Sequence, residues 1–286
     1  MGGTVMSEVK LSIDYDQYEA GKKMKDLLEE LADSPQSGEL TSLIIGDWGG
    51  AYENDSEETV ETLVALKERF PKLTSLFIGD MGFEECEVSW IMQTNLAPLL
   101  EAYPALRSFT IKGSTGLDLN PARHENLEEL TIICGGLGKD VIHQIYEGSF
   151  PRLKKLELYL GVDEYGFDGS LEDVLKLTEP GKFPELTYLG LKNSEIQDEL
   201  AIALADAPIL DQLHTLDMSD GTLSDTGAEA LLNSERVKKL KYLDLSHHYM
   251  SDEMVSRWKS SGLNVNTDDQ QDMDEDDDYR YPSLTE

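Results

Sequence analysis

The hydrophobic positions of this chain recur as a six-residue phrase, Leu-x-x-Leu-x-Leu, with conservative replacements. Successive copies are separated by 33, 33, 21, 26, 33, 27 and 27 residues. The eight copies begin at Leu40, Leu73, Leu106, Leu127, Leu153, Leu186, Leu213 and Leu240. Repetition at a period of about 20 to 50 residues predicts a solenoid, because one unit cannot bury its apolar face without its neighbours.

Each phrase predicts a short strand, because its last two apolar positions are two residues apart and strand side chains alternate between faces. Amphipathic stretches that open with Ser or Asp follow most copies, which predicts N-capped helices on the return path. An aromatic residue and a proline precede four copies, at Phe70-Pro71, Tyr103-Pro104, Phe150-Pro151 and Phe183-Pro184. Proline ends the preceding helix and favours an extended entry to the strand.

The phrase resembles the leucine-rich-repeat family, and the last three copies resemble its ribonuclease-inhibitor-like repeats. Those copies read LKNSEIQDELAIAL, LDMSDGTLSDTGAEALL and LDLSHHYMSDEMV. The resemblance implies an α/β horseshoe with about eight parallel concave strands and convex helices. The chain is also similar to uncharacterised bacterial cytoplasmic leucine-rich-repeat proteins, which implies no particular activity.

One repeat position departs from the family. The ninth position, usually Asn or Cys, holds Trp48, Met81, Ser114, Gly135, Gly161, Ser194, Gly221 and His248. The family's ladder of asparagines is therefore absent, so we expect other groups to satisfy the amides of the turns.

The chain ends differ from the repeats and predict four regions. We expect a disordered N-terminus at residues 1–7 and a cap at 8–39, formed by a strand at 8–15 and a helix at 18–32. The repeat domain spans 40–266, with a closing strand around Leu263 and Val265 packed over Trp258. Residues 267–286 are expected to form an acidic disordered tail. The short third repeat leaves only residues 116–126 for its return path, which predicts extended or 3₁₀ structure.

The net charge of -33 limits the classes of partner. Residues 268–286 contribute nine acids and one base, so the rest of the chain still carries about -25. Such a surface repels phosphate backbones and anionic lipids, so we expect no nucleic-acid or membrane partner and favour a basic or neutral protein. The alternative is that the acidity only maintains solubility.

Composition also predicts the compartment. Two cysteines, Cys86 and Cys134, form no disulfide framework and are expected to be buried thiols. Residues 1–16 lack a basic region followed by an apolar run, and no stretch of about 18 apolar residues occurs. We therefore expect a cytoplasmic protein, and we expect it to be a monomer.

Candidate binding residues lie on the strands, beside the inward-pointing positions, with Trp48 and His247 just after them. The two groups are apolar N-terminal residues and aromatic or acidic C-terminal residues, namely Ile44, Trp48 and Phe77, and Tyr159, Tyr188, Asp217, Tyr242, Asp244 and His247. Exposed aromatics among charges are typical of protein interfaces. The alternative is that these aromatics only stabilise their cross-strand neighbours.

Asp217 and Asp244 pose a sharper question. In register they occupy adjacent parallel strands, about 4.8 Å apart. A cation, a basic group of a partner or a catalytic pair would each explain two such carboxylates, and solvated acids flanked by Lys192 and Lys241 would explain them equally.

Other motifs fail at specific positions. Residues 135–139, GGLGK, resemble the end of a phosphate loop. However, Ile133 stands where the first glycine of that loop is required, and Asp140 follows the lysine where Ser or Thr is needed. The alternating acids from Asp272 lack the glycine and the final glutamate of a calcium loop. His247 and His248 lack a third zinc ligand, so we expect no metal or cofactor.

The sequence thus favours a non-enzymatic protein-interaction module that uses its concave face. A small-ligand or divalent-cation site around Asp217 and Asp244, with or without hydrolysis, is the alternative. A third possibility is that the acidic tail is functional, either as a self-blocking peptide or as a ligand for a basic partner.

Overall fold

A computed structural model of the protein describes residues 7–272 and 279–286. These residues fall into two compact units. Of the described residues, the first unit contains 7–133 and 147–152, with Glu286, and the second contains 134–146, 153–272 and 279–285. In both units every strand pair described is parallel and follows chain order.

The first unit contains five strands in the described residues. They are β1 (Glu8–Leu11), β2 (Ser42–Ile45), β3 (Ser75–Ile78), β4 (Ser108–Lys112) and β5 (Glu129–Ile133). Its helices are α1 (Tyr15–Glu19), α2 (Met24–Asp33), α3 (Glu57–Ala65) and α4 (Ala97–Ala102). Equivalent phrase positions face one another across neighbouring strands, as with Leu43, Leu76 and Phe109.

The second unit repeats the arrangement. Its strands are β6 (Lys155–Gly161), β7 (Tyr188–Ser194), β8 (Thr215–Asp217), β9 (Tyr242–Asp244) and β10 (Val265–Asn266). Its helices are α5 (Lys139–Glu147), of which Glu147 falls in the first unit, α6 (Leu171–Leu175), α7 (Gln197–Leu204), α8 (Asp225–Leu232) and α9 (Asp252–Ser260).

The core consists of the repeated phrase. All its apolar positions are buried except Leu240, which is half-buried. The aromatics before the four prolines are buried as well, and the Tyr103 hydroxyl donates a hydrogen bond to the Leu63 carbonyl at 2.6 Å. Strands with alternating burial and helices on the return paths make this an α/β leucine-rich-repeat solenoid, as the sequence predicts.

The N-terminal cap differs in detail from the expectation. The first strand is shorter than residues 8–15, and the predicted helix over 18–32 divides into α1 and α2. Gly21, with φ at 80°, lies between the two helices in a conformation that a helix does not contain. Residues 1–6 lie outside the described residues, and the carbonyl of Ser7 accepts hydrogen bonds from the amides of Thr41 and Ser42.

At the far end β10 pairs with β9, and Trp258 is fully buried. The predicted closing strand therefore forms, although it begins at Val265 rather than at Leu263. In the part of the chain that the structure describes, the Trp258 Nε1 is buried without a hydrogen-bond partner.

Side chains other than asparagine satisfy the turns. His248 accepts from the Met250 amide through Nδ1 at 3.1 Å, and its Nε2 lies 3.0 Å from the Thr267 carbonyl. His124 makes the same pair of contacts with Asn126 and Tyr103. Aspartates near helix starts bind the next repeat, since Asp198 accepts from Ser224 and Asp225 accepts from Ser251. The short third repeat has bridges at Asp118 and Arg123 instead of a helix.

The predicted disordered tail makes defined contacts where the structure describes it. Thr267 is buried, and the amide of Gln271 donates to the carbonyl of His248 at 2.7 Å. Hydrogen bonds also hold residues 280–284 in the second unit. Residues 273–278, which include most of the acids considered as calcium ligands, lie outside the described residues.

Candidate functional site on the outer sheet face

The strand side chains that alternate with the core form what we call the outer sheet face. In the second unit a central column of this face contains, in register, Glu157 on β6, Gly190 on β7, Asp217 on β8 and Asp244 on β9. The predicted adjacency of Asp217 and Asp244 is confirmed, because the two residues pair directly across β8 and β9.

Lys192 on β7 is the centre of the charged cluster. Its Nζ lies 3.3 Å from Glu157 Oε1, 3.6 Å from Asp217 Oδ2 and 3.3 Å from Asp220 Oδ2. The same ammonium group donates to the Tyr159 hydroxyl at 3.1 Å and lies 4.7 Å from the centre of that ring. One buried cation therefore compensates three carboxylates.

Electrostatics follow from this geometry. Burial alone lowers the pKa of Lys192, but the charges of Asp217 and Glu157 and the Tyr159 hydroxyl outweigh burial and hold the pKa above its ordinary value. Burial raises the pKa of Tyr159, and Lys192 partly offsets that rise. Lys192 is therefore charged and Tyr159 neutral at physiological pH.

Two tyrosines of the face, Tyr188 and Tyr242, are hydrogen-bonded to its acids. The Tyr188 hydroxyl donates to Asp217 Oδ2 at 2.5 Å, and the Tyr242 hydroxyl donates to Asp244 Oδ2 at 3.2 Å. Burial, followed by the charge of Asp217, raises the pKa of Tyr188. The second oxygen of each aspartate accepts from the amide and the hydroxyl of a serine two residues later, Ser219 or Ser246.

Lys155, the first residue of β6, extends the cluster toward the N-terminal ends of the strands. Its Nζ pairs with Glu157 Oε2 at 2.7 Å and lies 4.8 Å from the centre of the Tyr188 ring. Gly190 lies between these groups, and a Cβ there would come within 3.2 Å of both Glu157 and Tyr188. The absence of a side chain at Gly190 thus leaves room for Glu157 of β6 and Tyr188 of β7 to pack beside the backbone of β7.

The first unit presents a different, more apolar face. Ile44 and Phe77 face each other across β2 and β3, and both are half-buried. Trp48 is buried, with 6% of its surface exposed, and its Nε1 donates to the Asn54 carbonyl at 2.8 Å. Ile44 and Phe77 lie on the outer sheet face, whereas Trp48 belongs to the interior of a turn.

The structure therefore divides the predicted C-terminal site residues into groups. Tyr159, Tyr188, Tyr242 and Asp244 are half-buried, and Asp217 is buried with 6% exposed, so none is a freely projecting anchor. His247 lies outside the strands, in the turn after β9, where its Nδ1 is 3.1 Å from Asp269 Oδ2.

The acids at Asp217 and Asp244 are already engaged by protein groups. The cation hypothesis placed a metal ion beside the Asp217 carboxylate. In the structure Lys192 and the Tyr188 hydroxyl lie there instead. Lys192 does flank Asp217 as expected, whereas Lys241 lies 3.2 Å from the Nε2 of His214. Among residues 7–272 and 279–286, no group of three or more His, Cys, Asp or Glu side chains is arranged to hold a metal ion.

Sequence reasoning missed the role of Glu157 and a row of residues at the end of β7 and in the turns after β8 and β9. Asn193, Asp220 and His247 occupy the same repeat position, 27 residues apart, and all have positive φ, at 54°, 65° and 55°. The spacing and the tolerance of Asn, Asp and His for this conformation were the available signals.

Comparisons place the chain among known structures. A crystal structure of a Bacteroides fragilis protein matches it with a TM-score of 0.85 and 35% sequence identity, over 93% of this chain and 75% of that one. This chain belongs to the same family as that bacterial protein. An internalin from Listeria monocytogenes matches with a TM-score of 0.37 and 13% identity, over 94% of this chain and 88% of that one, which is too low to support an inference.

No protein-family model matches the sequence, and neither does any curated protein.

Cys86 and Cys134 are buried, as expected, and burial raises the pKa of Cys86 to about 11. The described helices are all too short or too polar to cross a bilayer.

Proposed function

We propose that this protein is a non-enzymatic, monomeric interaction module of the bacterial cytoplasm that binds another protein through its outer sheet face. This face corresponds to the concave face that the resemblance to ribonuclease-inhibitor-like leucine-rich repeats implies. The observation that carries the proposal is the linked set of aromatic and charged side chains on β6–β9, centred on Lys192.

Such a set suits recognition because its side chains are already fixed. Association must otherwise order the groups that make contact, at about 0.5 to 1.5 kcal/mol for each flexible side chain. Tyr159 and Tyr188 are held by Lys192 and Asp217, so little of that cost remains for them. Aromatic groups with fixed polar neighbours are typical hot spots of protein interfaces.

The charge of the molecule favours a basic partner. The chain carries -33, and the central column of the face contains Glu157, Asp217 and Asp244 against Lys155 and Lys192. An acidic surface accelerates encounter with a basic protein and disfavours nucleic acids and anionic membranes. The N-terminal residues Ile44 and Phe77 offer an additional apolar contact.

The test begins with affinity capture from a lysate of the native cell. The bait is the whole chain, either wild type or with Lys155→Glu and Tyr242→Ala, two substitutions at half-buried positions of the face. The captured protein is then purified, and its affinity for each bait is measured by calorimetry. We expect the double variant to bind at least about tenfold more weakly, because a hot-spot residue contributes 1.4 kcal/mol or more.

A matched variant controls for charge and size. Tyr15→Ala with Lys25→Glu makes the same chemical changes at exposed positions of the N-terminal cap. We expect this control to bind like the wild type. Equal affinity of the wild type and the Lys155→Glu/Tyr242→Ala variant, or an equal loss in both variants, would contradict the proposal.

A further inference from the structure

The C-terminal end of β7 and the turns that follow β8 and β9 form a continuous row. Asn193, Asp220 and His247 occupy equivalent positions in it, each with positive φ. Neighbouring turns are tied together by backbone hydrogen bonds, from the Asn193 amide to the Ser219 carbonyl at 2.9 Å and from the Asp220 amide to the Ser246 carbonyl at 2.9 Å. We call this row, together with Tyr249 and Asp198, the turn edge.

Residues 280–284 lie along the turn edge and contact one repeat after another. The Tyr281 amide donates to the Tyr249 hydroxyl, which in turn donates to the Tyr281 carbonyl, both at 3.0 Å. The same carbonyl lies 3.3 Å from His247 Nε2. Two residues later, the Ser283 amide donates to the Asp220 carbonyl at 2.7 Å.

The last contact is a two-point clamp. The Leu284 amide donates to Asn193 Oδ1 at 2.8 Å, and Asn193 Nδ2 donates to the Leu284 carbonyl at 2.5 Å. Asn193 has no exposed surface. A fully buried amide that satisfies both backbone groups of one residue favours an extended chain at this position.

The side chains of the bound segment alternate. Tyr281 and Ser283 are exposed, whereas Arg280, Pro282 and Leu284 are buried or half-buried. This period of two is that of an extended strand that directs every second side chain toward its binding surface. The segment therefore has the geometry of a bound peptide.

Arg280 supplies the charged contact. Its Nη1 donates to Asp198 Oδ2 at 2.8 Å and to the Thr222 carbonyl at 2.5 Å. The Asp198 side chain is 12% exposed, and its carboxylate is fixed by the amides of Ser224 and Gly227. A charge-assisted hydrogen bond to an oriented carboxylate favours a basic side chain, here arginine, at this position.

We propose that the turn edge is a binding groove for an extended peptide of the pattern Arg-x-Pro-x-Leu, and that residues 280–284 are its ligand in cis. A segment of this pattern presented in trans competes for the same groove. This inference does not rest on the function of the outer sheet face. The two surfaces are adjacent, however, because Asp220 contacts Lys192 through its carboxylate and Ser283 through its carbonyl.

The test uses a fluorescent peptide with the sequence of residues 279–286, titrated into the whole chain and followed by anisotropy. One receptor is the wild type, and the other carries Arg280→Ala and Pro282→Ala, which weaken the cis segment and leave the groove intact. We expect the peptide to bind the variant at least about tenfold more tightly than the wild type, because the cis competitor is weakened. A peptide with the same two substitutions should not bind.

Substitutions in the groove provide the matched control. Adding Tyr249→Phe to the variant removes the hydroxyl contacts with Tyr281 and should weaken binding of the peptide. Adding Tyr52→Phe, the same change at an exposed position of the first unit, should leave binding unchanged. Equal affinity of the peptide for wild type and variant, or equal binding of the substituted peptide, would overturn the proposal.

Hydrogen exchange in the wild-type chain tests the same idea without any substitution. The amides of Ser283 and Leu284 are hydrogen-bonded to the groove, so they should exchange slowly. Saturating peptide should accelerate their exchange by displacing the segment. If the hydrogen-exchange rates of these two amides do not change when the peptide is added, the peptide does not displace the segment, which contradicts the proposal.

Discussion

At the scale of the residue, Lys192 determines whether three carboxylates can coexist on one sheet face. Glu157, Asp217 and Asp220 each lie within 3.6 Å of its ammonium group. A buried charge without compensation is strongly unfavourable, so the lysine and the acids stabilise the fold only together. The sequence showed that Lys192 flanks Asp217, but it did not indicate that the lysine would be buried.

Replacement of Lys192 by methionine should therefore destabilise the protein by about 3 kcal/mol, because a buried ion pair loses one member. Chemical denaturation at neutral pH measures the free energy of unfolding. Lys241→Met, at an exposed lysine, is the matched control and should change it little. A loss below about 0.5 kcal/mol for Lys192→Met would show that the cluster is effectively solvated.

The pH dependence of this contribution has a definite sign. The pKa of Lys192 is raised in the folded state, since its anionic neighbours outweigh burial. The contribution is complete below the ordinary lysine pKa of about 10.4 and is lost as the pH rises through the folded value. The difference in the free energy of unfolding between the wild type and Lys192→Met should thus stay constant from neutral pH to about pH 10. It should become smaller only above that pH.

Two buried histidines, His124 and His248, should make the protein less stable in acid. His124 and His248 each accept from a backbone amide through Nδ1 and face a carbonyl with Nε2, so each requires the neutral form with its proton on Nε2. Burial lowers the pKa of both. As the pH falls below about 6.5 the unfolded chain binds protons more readily, and the free energy of unfolding should decrease.

The test is a comparison of urea denaturation between pH 7.5 and 5. A His124→Gln/His248→Gln variant keeps a donor and an acceptor at each position and should lose less stability over this range than the wild type. His214→Gln, at an exposed histidine, should follow the wild type. Parallel curves for all three proteins would mean that neither buried histidine resists protonation.

At the scale of the element, the sequence was most informative about strands. The phrase positions predicted the buried residues of every repeat strand, because a period of two is set by backbone geometry alone. It was less informative about turns, whose conformation depends on contacts between repeats. The defined path of residues 280–284 depends on such contacts.

The glycine-rich loop that resembled a phosphate loop is an example. A Cβ on Gly161 would collide with the backbone of Gly135 and Gly136, and a Cβ on Gly136 would collide with the backbone of Tyr165 and Gly166. These glycines therefore permit two segments of the second unit to approach closely, which is a structural reason for the motif.

Gly161→Ala should destabilise the protein by roughly 3 kcal/mol or more, since it combines a backbone clash with an unfavourable positive φ. Gly181→Ala is the matched control, because Gly181 has a similar φ of 81° but nothing within 4 Å of the added methyl group. We expect it to cost about 1 kcal/mol, and thermal denaturation compares the two variants. Equal losses would indicate that the loop moves aside freely.

At the scale of the whole molecule, the repeat pattern predicted the solenoid, and the parallel strands in chain order agree with it. The candidate site was predicted less completely. Column positions identified Tyr159, Tyr188 and Tyr242, but their exposure was overestimated. Hydrogen bonds from Tyr188 and Tyr242 to aspartates, and from Lys192 to Tyr159, hold these rings against the sheet. Side-chain hydrogen bonds between residues 29 to 35 positions apart, on neighbouring strands, cannot be inferred from a repeat phrase.

The proposed use of the acidic face predicts a response to salt. Encounter with a basic partner through long-range attraction should slow as the ionic strength rises, since the screening length falls from about 10 Å at 0.1 M to about 3 Å at 1 M. Stopped-flow association with the captured partner between these concentrations measures the effect. An association rate that is independent of salt would remove steering from the account while leaving the binding surface untouched.

The most direct test of the central claim is site-specific photo-crosslinking in the native cell. A photoreactive phenylalanine derivative is placed at position 242, on the outer sheet face, or at position 202, where Ile202 is 50% exposed on α7. We predict a discrete crosslinked protein from position 242 and none from position 202. Adducts from position 202 alone, or none from position 242 at full expression, would contradict binding through the outer sheet face.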